Sequence, residues 1–174
     1  YAPKDDLYHR SHWREIYPDN ILNELKELIQ ACHKKELKFI YSIAPGLDIT
    51  YSSEDEWNLL IDKIEQIQQI GCMHFAILFD DIPSKLSKKD ELVYSSFAEA
   101  HAVITNRLFE YFSDSKLLFC PTVYCVQMAD NDVPGNPYLN ELGEKLHPEI
   151  GFCWTGPEVV SKDISVESIQ ELRS

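Results

Sequence analysis

Two adjacent carboxylates, Asp80 and Asp81, close the run Cys72-Met73-His74-Phe75-Ala76-Ile77-Leu78-Phe79. Paired carboxyl groups in different environments can divide acid and base work, one ionised while the other keeps its proton. The run before them is mostly apolar, aromatic or small. Gly71 and Pro83 bound it too closely for a helix. It reads as one strand covered on both faces, as in a parallel sheet. Consecutive strand residues point to opposite faces, so the two acids share a pocket only where the strand breaks into a loop. The plain alternative is an Asp-Asp pair that caps a loop or the next helix, since aspartate is common in turns.

The elements that must position this pair alternate. Tyr1-Ala2-Pro3 reads as a strand end followed by the charged loop Lys4-Asp5-Asp6. A helix starts near Pro18-Asp19-Asn20, with Ile21, Leu22, Leu25, Leu28, Ile29 and Cys32 at helical spacing. The strand Leu37–Ile43 runs into Ala44-Pro45-Gly46. A capping box, Ser53 to Glu56, opens a second helix with the stripe Trp57, Leu60, Ile61, Ile64 and Ile67. After the Asp-Asp strand, a third helix carries Val93, Phe97, Ala100, Ile104, Leu108 and Tyr111 on one face. The strand Lys116–Cys120 leads into Pro121-Thr122-Val123-Tyr124, then a short helix over Tyr138–Leu146 and a last strand over Ile150–Trp154. Ser165 to Arg173 reads as the opening turns of another helix.

Strict alternation of this kind specifies parallel strands joined by right-handed crossovers. The strand-end markers Lys4, Gly46, Asp80, Thr122 and Trp154 are spaced by 32 to 42 residues. A complete (β/α)8 barrel needs about 250 residues, so the expected fold is α/β, a partial TIM barrel. It has about five of the eight strands and lacks the first and the last two. Residues 1–174 then form one incomplete-barrel segment. An open doubly wound sheet is the alternative, weakened by the absence of a G-x-G-x-x-G or P-loop pattern.

The 16 basic and 29 acidic residues give a net charge of −13. That argues against nucleic-acid binding, which needs a basic footprint. No apolar run approaches the roughly 20 residues of a membrane span, and Tyr1-Ala2-Pro3-Lys4 does not resemble a signal peptide. Five cysteines, an odd number mostly in apolar segments, read as reduced thiols of an intracellular protein. Cys120 and Cys125 have no matching second pair, and the histidines are scattered, so no metal site is expected.

In a barrel the strand ends converge on one rim. Here that rim holds acids, a lysine and aromatic residues, which suits a carbohydrate better than a phosphate. The ordered motifs go further: Tyr1-Ala2-Pro3-Lys4-Asp5-Asp6, Ile43-Ala44-Pro45-Gly46-Leu47-Asp48-Ile49, Leu78-Phe79-Asp80-Asp81-Ile82, Phe119-Cys120-Pro121-Thr122-Val123-Tyr124-Cys125 and Trp154-Thr155-Gly156-Pro157. Together they resemble the catalytic domain of the O-GlcNAcases, the family 84 glycoside hydrolases, most closely the animal nucleocytoplasmic type.

The resemblance implies a retaining β-N-acetylglucosaminidase on a (β/α)8 barrel, acting on Ser/Thr-linked GlcNAc of modified proteins. The substrate's own 2-acetamido oxygen attacks the anomeric carbon and forms an oxazoline, an exception to the two-carboxylate displacement scheme. By resemblance, Asp80 orients the acetamido group and takes up its N–H proton, and Asp81 is the general acid and base. Lys4 matches a family lysine that hydrogen-bonds sugar hydroxyls, and Tyr124 matches a tyrosine near the anomeric centre. Trp154 reads as packing, and Asp5 and Asp48 as loop structure. No cofactor is implied. The resemblance further implies residence in cytoplasm and nucleus, and a full-length enzyme that is homodimeric through regions outside this sequence.

The family's glycine-rich first strand and the downstream tryptophan, asparagine and aspartate of its pocket lie outside these residues. The isolated chain is therefore expected to be weakly folded or inactive. Two other readings stand beside the family one. The first is another acid-dependent glycosidase, hyaluronidase-like or chitinase-like. The second is a non-catalytic truncated segment or sugar-binding module.

Overall fold

The computed structural model describes residues 1–172. Its elements are α1 (Asp19–Lys34), β1 (Tyr41–Ile43), α2 (Glu54–Gln69), β2 (His74–Leu78), α3 (Phe97–Tyr111), β3 (Lys116–Cys120), α4 (Pro137–Lys145), β4 (Gly151–Phe152) and α5 (Val166–Leu172). Arg173, expected in the last helix, lies outside the described residues. The four strands form one parallel sheet in the order β1-β2-β3-β4, so each crossover helix connects neighbours. That is the alternating pattern expected from the sequence.

The expected strand at the N-terminus is reduced to a single edge contact. The Tyr1 amino group donates to the Ile40 carbonyl at 2.6 Å, and the Ser42 N–H donates to the Tyr1 carbonyl at 3.1 Å. This is the bonding of a parallel neighbour on the free side of β1. Three strands are shorter than expected, and of the run from Cys72 to Phe79 only His74–Leu78 is strand. Glu36 takes a left-handed φ of 57° after α1, and exposed Leu37 follows it. The chain joins the sheet only at Tyr41. At the other edge, β4 holds Gly151 and Phe152 alone. The third helix starts at Phe97, not near Val93, because Ser96 caps it by accepting the Glu99 N–H at 3.0 Å. Val93 is left exposed in the preceding turn.

The register sorts the sheet's two faces. Tyr41 pairs with Phe75, Ile43 with Ile77, Phe75 with Leu117 and Ile77 with Phe119. All six are buried in one core with Trp57, Leu60, Ile61, Ile64 and Ile67 of α2 and Ala100, Ile104 and Leu108 of α3. The opposite face carries Leu78, Leu118, Cys120 and Cys153, each half-buried. Helices therefore cover one side, and these half-buried residues occupy the other.

The segment between Pro3 and Tyr17 is laid over the rim and pinned there. The Lys63 Nζ donates to the Tyr8 carbonyl at 3.1 Å and sits 4.3 Å from the Tyr17 ring centre and 5.1 Å from that of Tyr8. The Tyr17 hydroxyl donates to Asp6 at 2.6 Å. Asp48 accepts from the Trp13 indole at 2.9 Å and from Arg14 at 2.8 Å, the loop role expected of it.

Lys63 is fully buried, and burial pushes its pKa down to about 8. In the unfolded chain the group stays protonated to higher pH, so between these limits the unfolded state binds more protons. Stability from this group therefore rises with pH from 8 towards 10.5. Buried tyrosines and thiols with raised pKa act in the opposite sense, so the comparison is with Lys63→Met. Relative to that variant, the parent is expected to gain on the order of 2 kcal/mol between pH 8 and 10 in denaturant titrations. A difference that is flat or falls with pH contradicts the buried cation.

Candidate active site

Asp80 and Asp81 follow β2 directly, and their placement rests on how Phe79 is held. The Phe79 N–H donates to the Cys120 carbonyl at 2.9 Å, extending the ladder one residue beyond the strand. Its carbonyl accepts from the Thr122 hydroxyl at 2.7 Å. Behind it, the His101 ring stacks on the Phe79 ring at 4.2 Å and 4°. His101 bridges two hydroxyls, Tyr51 at 3.0 Å through Nε2 and Tyr138 at 2.9 Å through Nδ1. The Tyr138 hydroxyl also accepts the Thr122 N–H at 3.1 Å. Burial pushes the His101 pKa down to about 3, so the ring stays neutral. Phe79 is thus clamped from both sides, and the chain bends only after it.

The bend gives the two acids different surroundings. Asp80 has a buried Oδ1 with no hydrogen-bond partner among the described residues. A buried carboxylate oxygen left unpaired costs free energy, and such groups collect where a ligand completes them. Asp81 is turned outwards, its side chain 59% exposed, and the Arg10 guanidinium donates to its Oδ2. The loop around Gly46 closes against this bend. A Cβ on Gly46 would lie 3.0 Å from the Phe79 ring and 3.1 Å from the Asp81 carbonyl, so only glycine fits without displacing it.

Tyr124 stands beside the pair. Burial, and after it the Asp80 carboxylate, raises its phenol above the ordinary value, with Asp81 a smaller influence. Its backbone carbonyl accepts from the Thr155 N–H at 2.9 Å, tying together the loops that follow β3 and β4. The two carboxylates thus lie within electrostatic reach of the Tyr124 phenol. Lys4 lies exposed in the loop after the Tyr1 edge contact, without an ion pair among the described residues. Trp154 packs against the small cluster of Ala129, Val133 and Leu139, as expected of a packing residue. Its buried indole N–H finds no acceptor among the described residues.

Surface depressions of about 280 and 310 Å³ lie to the sides, beneath Gly46–Tyr51 and around Tyr1–Tyr8. Neither is lined by the two acids. Among the described residues, no cluster of three or more His, Cys, Asp or Glu side chains could hold a metal ion. No helix there is long and apolar enough to cross a membrane.

Two participants were not legible in the sequence. Arg10 sits 71 residues from its partner Asp81 in a charged loop with no periodicity. His101 looks like any polar residue on a helix until the fold brings Phe79 against it. Thr122 carried a signal, as a strand-end residue following Pro121.

A strand-end Asp-Asp pair on a parallel α/β sheet, with a buried oxygen on one carboxylate and the other carboxylate in solvent, offers two acids in different environments. The comparisons specify the class. A family model for beta-N-acetylglucosaminidase (NAGidase) matches residues 1–174, and the chain belongs to that family. It is 49% identical over 173 residues to Protein O-GlcNAcase of Mus musculus, covering 99% of this chain and 19% of that protein. The Rattus norvegicus Protein O-GlcNAcase matches with the same figures. The chain thus spans about a fifth of the length of these curated relatives. Among solved structures, an O-GlcNAc hydrolase variant of Thermobaculum terrenum superposes with a TM-score of 0.91 at 37% identity. The match covers 99% of this chain and 37% of that one. The structure of CpGH84D gives a TM-score of 0.84 at 28% identity, covering 99% and 28%.

Proposed function

We propose that this chain is the catalytic part of a retaining β-N-acetylglucosaminidase that removes β-linked GlcNAc from Ser and Thr of modified proteins. The single observation that carries the reading is the unpartnered buried oxygen of Asp80 beside solvent-facing Asp81. An acetamido N–H supplies the missing donor.

In the first step the substrate's acetamido oxygen attacks the anomeric carbon. Asp80 accepts the acetamido N–H and takes up its proton as the oxazoline forms. Asp81, protonated, gives its proton to the departing Ser or Thr oxygen. In the second step Asp81 takes a proton from water, the water oxygen attacks the anomeric carbon, Asp80 returns its proton to the nitrogen, and the oxazoline opens with retention overall. The two placements suit the two roles: a buried oxygen that can receive the acetamido N–H, and an exposed carboxyl open to the leaving group. The Arg10 contact must be given up when the aglycone arrives, because the same Asp81 oxygens are needed by the reaction. Lys4 binds sugar hydroxyls and Tyr124 lies at the anomeric centre. The chemistry uses side chains and the substrate alone.

The proposal extends to the setting. The chain works within a complete (β/α)8 barrel, of which it supplies about five strands, in a homodimeric protein of cytoplasm and nucleus. Family membership and the structural neighbours support the barrel; the dimer and the compartment rest on the sequence resemblance alone. The test is hydrolysis of a fluorogenic β-GlcNAc glycoside by the protein carrying this chain in a complete barrel, with Asp81→Ala alongside. Turnover that depends on Asp81 supports the reading. A folded, inert parent points to a sugar-binding module.

A further inference from the structure

The same face of the sheet carries two thiols beside Asp80. The β3–β4 register pairs Leu118 with Gly151 and Phe119 with Phe152, which makes Cys120 and Cys153 the next facing pair. The Cys153 N–H donates to the Phe119 carbonyl at 2.9 Å, so the ladder continues through that position. Neighbouring strands stand about 4.8 Å apart, within the Cα separation of roughly 4.4–6.8 Å that a disulfide spans. Both thiols are free and half-buried. The neighbouring Cys153 thiol, then burial, then the Asp80 carboxylate push the Cys120 thiol up. The Cys120 thiol in turn draws Cys153 down, so Cys153 is the more readily ionised of the two. None of the roles assigned above uses either sulfur.

We propose that Cys120 and Cys153 form an oxidative modification site, a dithiol that closes to a disulfide beside Asp80 and stops hydrolysis. The oxidant is hydrogen peroxide. The Cys153 thiolate sulfur attacks one peroxide oxygen, the O–O bond breaks, and hydroxide leaves a sulfenic acid on Cys153. The Cys120 sulfur then attacks the Cys153 sulfur, and the S–O bond breaks. The Cys120 proton departs with the released hydroxyl as water. In sum the two thiols give up two electrons and two protons, and the peroxide becomes two waters. Closure pulls on the ends of β3 and β4. The Cys120 carbonyl holds the Phe79 N–H at 2.9 Å, so the movement reaches the residue that precedes Asp80. The effect on turnover rests on the glycosidase reading; formation of the disulfide does not.

The experiment treats the protein with hydrogen peroxide and reads two quantities, intact mass with non-reducing peptide mapping, and turnover of a β-GlcNAc glycoside. The expected result is the loss of two hydrogens, a linked Cys120–Cys153 peptide, and a roughly hundredfold fall in turnover. That fall is the cost of displacing a catalytic group by about 1 Å. Dithiothreitol restores both quantities. Cys153→Ser keeps basal turnover and shows neither the linkage nor the dithiothreitol-reversible loss. Absence of the linked peptide, or pairing of Cys120 with Cys125 instead, overturns the proposal, as does the linkage forming with turnover unchanged. A protein inert before oxidation refutes the glycosidase reading, while the mass measurement still decides whether the dithiol closes.

Discussion

Asp81→Ala is expected to lower turnover of β-GlcNAc on poor leaving groups, such as a serine hydroxyl, by about 10²–10⁴-fold. On an activated phenol the first step needs no proton and survives. The second step still lacks its base, so oxazoline opening by water becomes slow. A small anion such as azide needs no deprotonation, and adding it restores turnover with the glycosyl azide as product. Stability is expected to hardly change, because the Arg10–Asp81 pair lost in the variant is exposed and such pairs contribute about 0–1 kcal/mol. Equal losses on good and poor leaving groups, or no response to azide, contradict the acid-base assignment.

Asp80→Asn is expected to lower turnover by about 10²–10³-fold, the scale for removing one preorganised electrostatic contact to a developing charge. Here the loss is the same for good and poor leaving groups, since the acetamido group participates in both. An asparagine oxygen still accepts the N–H but takes up neither its proton nor the positive charge of the forming oxazoline. The variant is not expected to be less stable. The buried Oδ1 of Asp80 has no partner to lose, and a neutral amide is less costly to bury than a charge. Activity lost without stability lost, read by kinetics and thermal melts on one preparation, separates this role from a structural one. A large drop in melting temperature contradicts it.

The alternation of elements and the Asp-Asp strand were legible because they rest on local signals. Gly71 and Pro83 bound β2, Ser53 caps α2, and the α2 stripe from Trp57 to Ile67 is buried as its spacing predicts. The start of α3 was misread because Val93 lies in phase with Phe97. Only the Ser96 cap distinguishes the turn from the helix. The strands at the sheet's edges were read too long, since apolar Leu37 and Ile150 fit a strand pattern without belonging to the ladder. Within the site, residue types gave the acids and the tyrosine. The partners that orient them are long-range: Arg10 on Asp81, and His101 between Tyr51 and Tyr138 behind Phe79. No spacing rule connects residues that meet only after the crossovers form.

The most direct test of substrate-assisted cleavage is to weaken the nucleophile without touching the protein. A series of fluorogenic β-glycosides carries N-acetyl, fluoroacetyl, difluoroacetyl and trifluoroacetyl groups on one leaving group. Each fluorine withdraws electrons from the carbonyl oxygen that attacks the anomeric carbon. If that oxygen is the nucleophile, kcat/KM falls steeply and monotonically along the series. A rate independent of fluorination contradicts it and gives the attack to a protein carboxylate instead.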